Sequence, residues 1–133
     1  MMPAPLAPYD EHVLLKADWV FAVLRTLDLA GTCARHPRAV AAVAALREAA
    51  AGQDRSDRWL VPGEHAYFAA YYADAGELLE LDEEDPATYE HPAVLAEHLI
   101  CAAVRDQAPR TMAAIDAVHN AEALLVAQHP EQP

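Results

Sequence analysis

Lysine occurs once in this chain, at Lys16, and together with eight arginines it faces twenty-one acids, which sets the formal charge at −12. A surface so short of cations excludes a nucleic-acid binder and a binder of anionic membranes, because both need a basic face. Glycine is also scarce, with four in 133 residues, and no Asn-Gly or Asp-Gly pair is present. That removes the usual hairpin signal, and no convincing strand is legible. Cysteine occurs twice, at Cys33 and Cys101. With no basic or apolar leader in MMPAPLAPYD, the two thiols are expected to be free in a reducing cytoplasm. No apolar run reaches the roughly 20 residues that span a bilayer, so a soluble protein with no membrane partner is expected.

What the chain has in quantity is alanine, thirty-one residues of it, within a hydrophobic fraction of 54%. Alanine favours helix and close approach of helices more than it supplies buried area. The expected fold is all-α, an up-and-down bundle of four to five helices in one domain, residues 1–133. Residues 1–9 are rich in proline and read as an extended arm, and 129–133 as a frayed tail. The first helix is expected from Asp10, which can cap it, to Gly31, with Val13, Ala17, Val20, Leu24 and Leu27 on its apolar seam. The second spans Pro37 to Ala51 before Gly52. Trp59, Leu60 and Val61 form an apolar knot that pins the polar loop before them. The third helix covers about 62–81, with an interruption at Gly76. The fourth starts at Pro92 and is the most apolar run, and the fifth covers about 110–128, with Ile115, Val118, Ala121 and Leu125 as its stripe.

The fourth helix also carries the chain's most site-like pattern. Val94, His98, Cys101 and Arg105 recur at steps of four, three and four, and Met112, Asp116, His119 and Ala123 repeat that spacing on the fifth. If the two helices fold back at Ala108 and Pro109, residues whose numbers sum to about 217 stand level, which sets His98 beside His119 and Cys101 beside Asp116. Two imidazoles, a thiol and a carboxylate are the ligands a zinc ion takes. No CxxC, HxxxH or HExxH accompanies them. The alternative is a half-buried His98, a Cys101 that packs as a small hydrophobe with a raised pKa, and an Asp116 paired with Arg105. Glu-His occurs four times, at Glu11, Glu64, Glu90 and Glu97, mostly near expected helix starts, where glutamate suits the helix dipole.

Charge is distributed unevenly, for nine acids and no Lys or Arg lie between Asp74 and Glu97. Within that stretch Glu80, Asp82, Glu83, Glu84 and Asp85 form a solvated run that suits a basic partner. The function expected is non-enzymatic action through protein-protein contacts, with a basic protein or with a second copy in a homodimer packed by alanine-rich faces. The alternatives are a metal- or small-ligand-binding bundle, with zinc as the cofactor and an enzyme among the outcomes, and an immunity or inhibitor protein that covers a basic site with its acidic face.

Overall fold

The computed structural model describes residues 10–31, 36–53 and 55–128. The expected arm at 1–9, Cys33 and the expected tail at 129–133 lie outside the described residues. The elements run β1 (His12–Lys16), α1 (Ala17–Ala30), α2 (Pro37–Ala51), β2 (Arg58–Pro62), α3 (Gly63–Ala73), α4 (Ala75–Leu78), a 3-10 turn (Pro86–Glu90), α5 (Pro92–Gln107) and α6 (Pro109–Gln128). The architecture is mostly all-α, as expected: five helices of eleven residues or more, with α4 a single turn.

The two strands correct the expectation of none. β1 and β2 pair antiparallel, with Val13 opposite Val61, Leu14 opposite Leu60 and Leu15 opposite Trp59. Both segments alternate, so Val13, Leu15, Trp59 and Val61 enter the core while Leu14 and Leu60 stay about half exposed. The helix expected from Asp10 therefore starts at Ala17 instead. Its first amide continues the ladder by donating to the Asp57 carbonyl at 2.8 Å. Across the other end of the sheet Gly63 donates to the Glu11 carbonyl at 2.9 Å. A side chain at position 63 would start 3.2 Å from that carbonyl and 3.2 Å from the Ala108 Cβ, so any other residue would push strand and helix apart by a few tenths of an ångström.

At its far end α1 closes as expected on Gly31, left-handed at φ 63°. The helices α2 and α5 begin alike: His36 and His91 precede proline, and each Nδ1 accepts from an amide two residues on, Arg38 or Ala93, at 3.2 Å. The long third helix expected to about 81 breaks earlier. Asp74 takes a left-handed conformation, φ 40°, ends α3 and begins α4, while Gly76 has open space around it and is not the hinge. The central helix is α3, which packs on α1, α2, α5 and α6. One buried cluster runs from Val13 through Leu46, Phe68 and Ile100 to Ile115. Among the described residues, no helix is long and apolar enough to cross a membrane.

Candidate functional site

The fourth and fifth expected helices do meet at Ala108, but the seam expected between them is divided. On α5 the row that enters the core is Ala96, Ile100 and Val104, spaced by four and more apolar than its rival, of which only Val94 is also buried. That rotation leaves His98 exposed, its ring centroid 6.5 Å from that of Tyr89. His119 turns the other way, with its ring 5.3 Å from Tyr71 and 6.1 Å from Tyr67. Asp116 pairs with Arg105 at 3.4 Å. Cys101 is half-buried, and burial, then the charge of Glu97, pushes its thiol up to about 11, so it holds its proton and is a poor nucleophile or ligand at neutral pH. Tyr67 stands among these groups. Burial raises its pKa, followed by Cys101, Tyr71 and Asp116, while Arg105 acts in the opposite sense. Three of the four candidate ligands thus border one tyrosine while His98 points elsewhere. Among the described residues no group of three His, Cys, Asp or Glu side chains is placed to hold a metal ion.

The carboxylate that does bind something on this face is Glu97. Both its oxygens accept from the Ala75 amide, at 3.0 and 3.2 Å, which caps the single turn of α4 from a neighbouring helix. Desolvation raises its pKa from 4.5 to about 7; the Ala75 bond pulls it down and the nearby Asp74 charge pushes it up again. A folded-state pKa above the unfolded value means stability that is whole below about 4.5 and is lost as pH rises through about 7. Gln keeps one acceptor and carries no charge. Glu97→Gln is therefore expected to gain on the native protein by about 1–2 kcal/mol between pH 5 and pH 8, after discounting for the half-exposed carboxylate. Urea unfolding at the two pH values measures this, and a difference that stays flat with pH would refute the assignment.

A larger feature lies on the opposite face of α1 from its core seam. Asp18, Phe21, Arg25 and Leu29, with Leu78 and Leu79 from α4 and His91 and Pro92 from the start of α5, line an open groove of about 420 Å³. That volume is within the range of ligand and peptide-anchor sites. Phe21 and Leu29 are 57% and 68% exposed, which is unusual for two such residues two turns apart on one helix face. Phe21 is held there by an edge-on contact with buried Trp59, ring centroids 4.8 Å apart. The sequence signal lies in the steps of four that separate Phe21, Arg25 and Leu29. It is masked because Phe21 alone reads as a widening of the core seam.

The acidic run connects Leu79 to His91, which both lie on the α4–α5 side of this groove. Within that run, Asp82 accepts from the Glu84 amide and Asp85 from the Ala87 amide, both at 2.9 Å, so these two carboxylates shape turns. Glu80, Glu83 and Glu84 are exposed and left for solvent or a partner. Glu80 holds a left-handed backbone, φ 54°, which turns the chain out of α4. No family model matches this sequence, and neither a curated protein nor a solved structure is similar to it.

Proposed function

We propose that this protein acts without catalysis, through protein-protein contact, by receiving a basic amphipathic helix in the groove between α1 and the α4–α5 corner. The observation that carries the reading is an exposed apolar groove followed directly in the chain, after Leu79, by an exposed acidic run. Phe21, Leu29, Leu78 and Leu79 offer anchor positions for residues at i, i+3, i+4 and i+7 of a bound helix. Asp18 lines the groove beside Arg25, and the exposed Glu80, Glu83 and Glu84 of the segment after Leu79 are offered to the lysines and arginines of such a helix. A chain of charge −12 steers such a partner from a distance, more strongly at low salt. His98, Cys101, Asp116 and His119 play no part in this reading.

A fluorescein-labelled peptide of about 15 residues with leucine on one face and lysine on the other is the probe. Its anisotropy should rise on titration with the full chain at low salt and weaken at about 0.5 M salt. Leu29→Asp, at a position with no packing role, should cost at least tenfold in affinity. Converting Glu80, Glu83 and Glu84 together to glutamine should cost roughly tenfold, since each exposed pair contributes about 0.2–1 kcal/mol. A lysine–serine peptide of equal charge should not bind. Equal binding of both peptides, or binding indifferent to Leu29→Asp, would remove the groove from the proposal.

A further inference from the structure

The helix α6 is buried for only half its length. Thr111, Met112 and Ile115 are inside the core and Val118 is half-buried, but every residue from Ala121 to Ala127 is exposed. Leu124, Leu125 and Val126 are 62%, 58% and 73% exposed. The apolar stripe itself does not stop where the body does. Ile115, Val118, Ala121 and Leu125 keep helical spacing, with Leu124 beside the last of them, so one stripe begins in the core and runs out past its edge bare. A stretch of this length has little helical stability of its own in water, and what fixes helices in proteins is cover on the apolar face.

Charge identifies the cover. Between Ala117 and Gln128 the only charged residue is Glu122, and Arg38 lies 3.8 Å from it. A basic partner finds nothing to pair with here, in contrast to the groove. Two copies of a chain of charge −12 repel over most of their surfaces, and this is the apolar patch where they can meet without setting acid against acid. The stripe is also self-complementary, because a two-fold axis near Ala123 lays Leu125 of one helix against Ala121 of the other, antiparallel, with Leu124 beside the axis. Tyr71, 52% exposed and with its ring 5.3 Å from that of His119 at a tilt of 36°, extends the patch toward the body.

The geometry points to the outer half of α6 as a homodimer interface, with a second copy of this chain as its occupant. About twelve residues give a contact about 18 Å long. That falls short of the roughly 800 Å² per partner of a tight dimer, so association is concentration-dependent.

Light scattering and sedimentation of the full chain between about 10 µM and about 1 mM test it. The apparent mass should rise from 14.4 kDa toward twice that value. Added salt should promote dimerisation by screening the net repulsion, the reverse of its effect on the basic peptide. Leu125→Glu and Leu124→Glu, at exposed positions, should hold the mass at 14.4 kDa throughout with the helical circular dichroism unchanged. Leu29→Asp in the groove should dimerise like the native chain, so failure of the groove reading and failure of this one are separable. A native chain that stays at 14.4 kDa at the highest concentration, growth beyond a dimer, or association indifferent to Leu125→Glu would each overturn the inference.

Discussion

Trp59→Ala should destabilise the protein by about 3–5 kcal/mol, the largest loss expected from truncating any one side chain of this core. The side chain is 2% exposed and is the largest of the fully buried ones. Three kinds of interaction go with it. The first is apolar area, since an aromatic side chain of this size removes on the order of 200 Å² from water. The second is the indole N–H, which donates to the carbonyls of Gln53 at 2.9 Å and Ser56 at 3.1 Å and so ties the turn that carries them to the sheet. The third is the edge-on support of Phe21, centroids 4.8 Å apart, which holds one wall of the groove. Trp59→Phe separates these contributions, because it restores most of the area and takes the indole donor from the Ser56 carbonyl and from the Gln53 carbonyl, which keeps the Ser56 amide at 2.9 Å, for an expected cost of about 1–2 kcal/mol. Against a total stability of roughly 5–15 kcal/mol, the alanine variant is expected to melt far below the native chain and the phenylalanine variant only a few degrees below it. Urea unfolding followed by circular dichroism reads both. Equal losses for the two variants would mean that the indole hydrogen bonds, and not burial, hold that turn in place.

The parts of the fold legible in sequence are those written in local terms. Pro37, Pro92 and Gly31 mark helix ends because each acts on its own backbone, and all three boundaries stand. The strands are not legible in this way, because nothing local distinguishes HVLLK from the first turn of a helix: Val13 sits four residues before Ala17 and so joins the helical seam as readily as a strand face. What decides between them is RWLVP, forty-six positions further on and opposite in register, and no window of ordinary length contains both. The seam of His98 and His119 fails on rotation. Two apolar rows compete for the core on α5, and the spacing that makes each of them visible carries no information about which wins. Ile100 and Val104 are apolar where the rival row carries His98 and Arg105, and their row is the one buried. The groove is hidden from sequence for a related reason, since its walls come from α1, α4 and α5 and only tertiary packing brings them together.

A sheet of two short strands is marginal by itself, and two glutamines complete this one. Leu14 and Leu60 face each other across the ladder, and their own N–H and C=O groups point outward. On the β1 side Gln107 supplies both partners, its Oε1 accepting from the Leu14 amide at 2.8 Å and its Nε2 donating to the Leu14 carbonyl at 3.1 Å. On the β2 side Gln53 does the same for Leu60, at 2.8 and 2.9 Å. Each side-chain amide thus stands in for one residue of a neighbouring strand. The β2 edge has further protection, for Ser56 both accepts from the Arg58 amide and donates to its carbonyl, and Pro62 has no N–H to offer. Among the described residues the β1 edge has Gln107 against Leu14, whose side chain is 44% exposed. Gln53→Ala and Gln107→Ala should each cost about 1–2 kcal/mol, with water replacing part of what is lost. Their second effect should differ. Gln107→Ala bares a strand edge beside an exposed leucine and is expected to aggregate on mild heating, with a rise in thioflavin T fluorescence, whereas Gln53→Ala should melt and refold without doing so. Gln107→Glu keeps the acceptor and loses the donor at neutral pH, so it should fall between the native chain and the alanine variant in melting temperature. Its added charge should suppress edge pairing. Aggregation by Gln53→Ala to the same extent would show that loss of stability alone, and not an opened edge, drives it.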